Sequence, residues 1–218
     1  MTKFRFIHAI VIIALILILG LILLWIFNRH ILNPLPNQEF YLLILILIIV
    51  YMVTSKAYST YDMLVIHKAI GFHKIRYKSI LIALVITVLI WFFDYIYQIK
   101  LLTLDMNAQA TDWIQSQSNL TATFMTTVII TPIVEEILFR GVLLKTVNKY
   151  INNFWTTIVV SSLFVLVHAS IISAPTLFIA ALFYAWLTFK SKSIIPAIIA
   201  HIFNNGLTFY YYIYLLNE

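Results

Sequence analysis

Long apolar runs, repeated along the whole chain, constrain the fold more than any other feature of this sequence. The runs cover residues 6–27, 40–58, 80–99, 120–147, 154–172, 175–189 and 194–216. A helix needs about 20 predominantly apolar residues to cross a bilayer, and most of the runs reach or approach that length. The pattern predicts an all-α fold, a polytopic membrane helix bundle with about seven transmembrane helices, within a range of six to eight.

Composition supports this class and excludes several kinds of site. Hydrophobic residues make up 63% of the 218 residues and charged residues only 10%, whereas a soluble domain carries about 25% charged residues. The chain has no cysteine, which excludes disulfides, thiolate metal ligands and a cysteine nucleophile. We expect one bundle, in which residues 1–119 supply three helices, a basic loop at 55–79 and an outer surface segment at 100–119. Residues 120–218 would form a helical core that carries the functional side chains.

The distribution of lysine and arginine predicts that the N-terminus is cytoplasmic. With that orientation eleven basic residues are cytoplasmic, namely Lys3, Arg5, Lys56, Lys68, Lys74, Arg76, Lys78, Lys145, Lys149, Lys190 and Lys192. Only Arg29 and Lys100 then lie outside, which agrees with the positive-inside rule. Because topology accounts for the net charge of +6, we expect the lipid bilayer and no nucleic acid as a partner.

Three charges lie inside the fourth apolar run, at Glu135, Glu136 and Arg140. Each charged side chain at the centre of a membrane helix costs about 2.5–3.5 kcal/mol, so such charges normally pair helices or perform chemistry. Residues four apart share a helix face, which predicts a pair between Glu136 and Arg140. Glu135 is turned about 100° away and is therefore the candidate general base. Pro132 removes one intrahelical hydrogen bond just upstream.

Two histidines and an amide in later runs can reach the same depth. Glu135 and His168 are equidistant from the turn at residues 150–153, so an antiparallel hairpin brings them level. His201 lies about two turns inside the last helix, and Asn205 shares its face because it follows four residues later. We expect these groups to meet in one membrane cavity reached from the cytoplasmic side.

This set of residues allows two hydrolytic mechanisms. In the first, Glu135 and His168 activate a water molecule while His201 and Asn205 stabilise an oxyanion, with no metal cofactor. In the second, Glu135, His168 and His201 bind Zn²⁺, which acidifies the water. The metal-free version is preferred, because Asn205 is a poor zinc ligand and no His-Glu-x-x-His motif is present.

Three motifs together resemble a known family. They are Glu135-Glu136-x-x-x-Arg140, Phe164-x-x-x-His168 and His201-x-x-x-Asn205, each in its own helix and in this order. The set is similar to the motifs of the CAAX protease and bacteriocin-processing family, also called the Abi family, which includes the type II CAAX prenyl endopeptidases. The resemblance covers residues 120–207.

The resemblance implies an intramembrane endopeptidase in which Glu135 is the base for the attacking water and His168 assists it. It places His201 and Asn205 at the oxyanion and gives Glu136, Arg140 and Phe164 supporting roles. The implied substrate is a membrane-associated peptide or protein. The composition, which is rich in isoleucine, asparagine and lysine, indicates a bacterial plasma membrane. Bacteriocin processing or self-immunity is the implied setting.

Two other functions fit the same residues. The chain could be a non-catalytic immunity or binding protein whose polar cluster docks a toxin or receptor. It could also be a proton-coupled transporter that uses the buried glutamate and histidines as a relay.

Overall fold

The computed structural model describes residues 71–73, 75, 77–117, 119–168 and 170–215 of the chain. These residues belong to one compact unit, which runs from Thr60 to Glu218. Every regular element in the described part is helical, which confirms the all-α prediction there. The predicted helices at 6–27 and 40–58 and most of the basic loop at 55–79 lie outside the described residues, and the N-terminal orientation stays a prediction.

Six helical segments are numbered here in chain order. They are α1 (Tyr77–Ile96, continued by a π-helical turn at Tyr97–Leu101), α2 (Met106–Gln115), α3 (residues 120–147), α4 (Asn153–His168), α5 (Ala174–Ser191) and α6 (Ile195–Leu215). All but α2 correspond to predicted apolar runs. Helix α4 ends earlier than its run, because a turn follows in which the Ser173 amide donates to Ser170 Oγ at 3.2 Å.

Two of the described helices are long and apolar enough to cross a membrane, Tyr77–Leu101 and Ala174–Ser191. One side of α1 carries Leu81, Val85 and Leu89, all at least half exposed. Because these residues follow one another at four-residue spacing, they form a continuous apolar face of the kind that lipid covers. Membrane character is thus supported, whereas the total of seven spans stays a prediction.

Helix α3 is an irregular helix with two π-helical stretches. It runs as Leu120–Phe124 (α), Met125–Ile130 (π), Thr131–Glu136 (α), Ile137–Leu143 (π) and Leu144–Val147 (α). The hydroxyl groups of Thr126 and Thr127 donate to backbone carbonyls one turn back, and Pro132 has no N–H to offer. Both effects disturb regular α-helical bonding, and the short α-helical stretch between the two π regions carries both glutamates.

Helix α5 is the central element of the described bundle. One of its faces packs with α1 and α6 in a cluster of Ala83, Ala180, Phe183, Tyr184, Leu187, Ala197 and Ala200. The other packs with α3 and α4 in a cluster of Phe139, Leu144, Val160, Phe164, Ala181 and Ala185. Alanine recurs at both contacts, and small residues let membrane helices approach closely. This close packing holds α6 on one face of α5 and α3 and α4 on the other.

The outer segment at 100–119 contains a helix rather than only surface chain. Asp105 caps α2 by accepting a hydrogen bond from the Ala108 amide at 3.1 Å. Met106, Ala110 and Ile114 are buried at four-residue spacing, and α2 packs against α6. The predicted surface segment is therefore an amphipathic helix with one face buried in the bundle.

Candidate active site

Glu135 lies at the centre of a buried group of side chains that come from three helices. Its residue exposure is only 2%. Glu135 Oε1 is 3.8 Å from Nε2 of His168 on α4, and Oε2 is 3.7 Å from Nε2 of His201 on α6. The structure therefore brings together the three residues that the sequence predicted to lie at one depth.

The orientation of His168 is fixed by the backbone of its own helix. Its Nδ1 lies 2.7 Å from the Phe164 carbonyl oxygen. A carbonyl can only accept, so this nitrogen carries a hydrogen, and Nε2 is the nitrogen that faces Glu135. The His168 side chain is 23% exposed. The site is thus more open on the α4 side than at its two glutamates.

His201 is held between the two glutamates. Its Nδ1 lies 3.0 Å from Glu136 Oε1, while its Nε2 faces Glu135. The ring also stacks on Tyr184 of α5, with 5.1 Å between centroids and 26° between planes. A carboxylate partner on one nitrogen and an aromatic ring on one face together fix the direction of the other nitrogen.

Arg140 pairs with Glu136, as the helix spacing predicted. Nη1 of the arginine donates to Glu136 Oε1 at 2.9 Å, and Nη2 donates to the Ala181 carbonyl of α5 at 3.2 Å. Both charged residues have 0% exposure. The guanidinium carbon lies 4.6 Å from the ring centroid of Phe164 and 5.4 Å from that of Tyr184, a cation–π arrangement. Phe164 therefore contacts the ion pair as well as the neighbouring histidine.

Asn205 makes its hydrogen bond to the backbone of α3. Its Nδ2 donates to the Thr127 carbonyl at 3.0 Å. In this π-helical stretch the Thr131 amide donates to the carbonyl five residues back, at Thr126. The same spacing would pair the Thr127 carbonyl with residue 132, but Pro132 has no N–H. The amide of Asn205 therefore replaces the donor that the proline lacks.

Two features of this site were missed by the sequence reasoning. Tyr184 is 2% exposed and contacts both His201 and Arg140, but in the sequence it is one aromatic residue among many in an apolar run. The Thr127 carbonyl is a backbone group, so residue type gives no indication of it. Its only sequence signal is Pro132 five residues later, which removes a donor.

The gaps between Glu135 and the imidazoles suit a small bridging group. Distances of 3.7 and 3.8 Å exceed direct hydrogen bonding, and polar atoms at such separation commonly share a water molecule. Within residues 71–215, apart from the few positions not described, no group of three or more His, Cys, Asp or Glu is arranged to hold a metal ion. A zinc ion would have to use Glu135, His168 and His201 after a shift of these side chains.

Comparison with known proteins agrees with the motifs. No curated protein and no solved structure matches the chain. A family model does match, over residues 117–207, and that range contains all the motif residues. Over residues 117–207 the chain matches the family model described as type II CAAX prenyl endopeptidase Rce1-like. This match confirms the resemblance to the CAAX protease and bacteriocin-processing family that the three motifs predicted.

Proposed function

We propose that this protein is an intramembrane endopeptidase that uses Glu135 to activate a water molecule for attack on a peptide bond. The observation that carries the proposal is the buried Glu135 carboxylate, whose two oxygens each face the Nε2 of a histidine. The family match supports a protease at the level of the family. The glutamate mechanism is our own inference from the geometry.

The charges of the buried group suggest different roles for the two histidines. Glu135, Glu136 and Arg140 together carry a net charge of −1, and an unbalanced buried charge is costly. One protonated imidazole would bring the group to zero. We assign that proton to His201, because its two nitrogens face the two carboxylates.

The reaction then follows from these positions. Glu135 takes a proton from the water as its oxygen forms a bond to the substrate carbonyl carbon. The Nε2–H of protonated His201 donates to the oxyanion that develops. His168 accepts the second water hydrogen at Nε2 and so orients the nucleophile. When the C–N bond breaks, the proton on Glu135 passes to the leaving amine, and an acid and an amine are released.

Asn205 is proposed to act beside His201. A side-chain amide has two N–H groups, and one of them donates to the Thr127 carbonyl. The second remains the candidate for the oxyanion role that the family resemblance implies. Asn205 would thus tie α6 to α3 and stabilise the oxyanion from one position.

The proposed substrate is a membrane-associated peptide or protein, cleaved without a metal cofactor. The exposed apolar face of α1 and the buried site favour a substrate that is itself in the membrane. Access past His168, the more exposed member of the group, is proposed to be from the cytoplasmic side. Peptide or bacteriocin processing, or self-immunity, in a bacterial plasma membrane is the proposed setting.

The test compares two purified variants in proteoliposomes loaded with a membrane peptide extract. Glu135→Gln keeps the shape of the side chain but removes the base, and we expect new peptide termini, detected by mass spectrometry, to appear far more slowly than with the unaltered protein. Asp94→Asn is the matched control, because that partly buried carboxylate accepts a hydrogen bond from Gln98 on α1 and should leave cleavage unchanged. Cleavage by Glu135→Gln at the rate of the unaltered protein would refute the mechanism. Protection of cells by Glu135→Gln would favour the non-catalytic immunity protein, and solute uptake driven by a proton gradient would favour the transporter.

A further inference from the structure

A cavity lies at the ends of three helices and is not used by the proposed reaction. It has a volume of about 260 Å³. Its walls combine apolar and polar residues, namely Gly71, His73, Leu144, Lys145, Thr188, Phe189, Lys192, Ser193 and Ile194. Lys145 lies near the end of α3, whereas Lys192 directly follows α5. Two lysines from separate helices therefore line one space, and Nζ of Lys145 lies beside Gly71 there.

Backbone hydrogen bonds hold the walls of this cavity together. The Gly71 carbonyl accepts from the amides of His73 and Ile194, each at 3.0 Å. Ser193 Oγ donates to the His73 carbonyl at 3.2 Å. Segments that are distant in the sequence are therefore fixed against each other, so the cavity is formed before any ligand binds.

Gly71 and Lys192 adopt backbone conformations that shape the cavity. Gly71 has φ +109°, and a Cβ there would lie only 2.6 Å from Lys145 Nζ. Only glycine accepts both that φ and the close approach of the ammonium group. Lys192 has φ 58° because it is the left-handed residue that ends α5, a common helix C-terminus.

The residue types at the walls suit an anion held between two lysines. The residues that line the cavity in the described part include no carboxylate. Lysines near helix C-termini also stabilise the helix dipole, and that role alone would need no cavity. Lys190 provides a comparison, because it lies in the last turn of α5 and is exposed without lining the cavity.

We propose that this cavity binds a phosphate group, of an anionic lipid headgroup or of a soluble phosphate ester, between Lys145 and Lys192. The predicted topology places both lysines on the cytoplasmic side, at the depth of the inner headgroups, where anionic lipids attract basic residues. Ammonium groups bind phosphate oxygens by charge-assisted hydrogen bonds.

The first test uses the unaltered full-length protein. Acetylation rates of single lysines are measured by mass spectrometry in nanodiscs of phosphatidylcholine, with and without phosphatidylglycerol. We expect the anionic lipid to slow Lys145 and Lys192 about tenfold relative to Lys190, since charge-assisted contacts bury the amines. If inorganic phosphate added to phosphatidylcholine nanodiscs gives the same protection, the ligand is soluble. Protection by neither, or equal protection of Lys190, overturns the proposal.

A second test uses variants that remove the charge and keep a polar side chain. Lys145→Gln and Lys192→Gln should each weaken phosphatidylglycerol binding, measured as lipid adducts by native mass spectrometry, about tenfold or more, as expected for loss of a charged hydrogen bond. Lys190→Gln removes the same charge from the same helix end and should bind lipid as the parent does. Equal weakening by all three variants would mean a general charge effect and would contradict a defined site.

Discussion

The bond between Asn205 and the Thr127 carbonyl makes a prediction that separates a structural from a chemical role. The carbonyl lacks a helical donor because Pro132 stands where the π spacing requires an N–H. Asn205→Ala should therefore leave a partly buried acceptor without a partner. Pro132→Ala should restore an N–H at the missing position, so that the asparagine becomes dispensable for stability.

The size of the effect follows from the cost of an unsatisfied buried group. Asn205→Ala is expected to lower the free energy of unfolding by about 1–3 kcal/mol. In the Pro132→Ala background the same substitution should cost clearly less, which corresponds to a coupling energy of about 1–2 kcal/mol between the two positions. Asn204→Ala is the matched control, because it removes the neighbouring amide of the same helix and should show no coupling to Pro132.

The assay is equilibrium unfolding in mixed micelles, followed by tryptophan fluorescence, for the single and double variants. Equal destabilisation by Asn205→Ala in both backgrounds would refute the account of the Thr127 carbonyl. Peptide hydrolysis by the same four proteins then tests the second role. If Asn205 also stabilises the oxyanion, the double variant recovers stability without recovering activity. Recovery of both would mean that Asn205 only positions α6 against α3.

Three further predictions concern the buried charge pair, the aromatic ring of Tyr184 and the metal. Arg140→Met should destabilise the protein by about 3–5 kcal/mol, because it leaves the Glu136 carboxylate buried without its arginine. Adding Glu136→Gln should recover part of that loss in the same unfolding assay. If the double variant recovers no stability, the pairing of Glu136 with Arg140 is contradicted. Tyr184→Leu removes the ring stacked on His201 and should lower kcat about two- to tenfold, whereas Tyr184→Phe should retain most activity. If both variants lower kcat equally, the hydroxyl group of Tyr184 matters and not its ring. Peptide hydrolysis should persist in a strong chelator, and elemental analysis should find no zinc in the protein. If the chelator abolishes hydrolysis and added zinc restores it, the zinc mechanism is favoured.

The sequence was sufficient for the parts of the site that follow from helix geometry. The four-residue spacing of Glu136 and Arg140 predicted their pair, which the structure shows at 2.9 Å. The equal distance of Glu135 and His168 from one turn predicted their meeting across α3 and α4. Both inferences assume regular helix geometry. Helix α4 has that geometry, and in α3 the carboxylates lie where it predicts despite the π-helical stretches.

The sequence was insufficient wherever packing between distant helices decides the outcome. Nothing in the α5 sequence distinguished Tyr184 from other aromatic residues, because its role depends on how α5 packs between α3 and α6. The π-helical stretches of α3 also escaped prediction. The first of them contains the two threonines whose hydroxyls bond to the backbone and directly precedes the α-helical turn with Pro132. Its effect on the Thr127 carbonyl appears only when α6 brings Asn205 to it.

The central claim is that Glu135 and His168 act on one water molecule as a unit. It is tested most directly by the rate of peptide hydrolysis in Glu135→Gln, His168→Ala and the double variant, each purified in proteoliposomes. Residues that act as a unit show strongly non-additive losses. The account predicts that the double variant is no slower than the slower single variant. Losses that multiply in the double variant would mean independent roles and would contradict it.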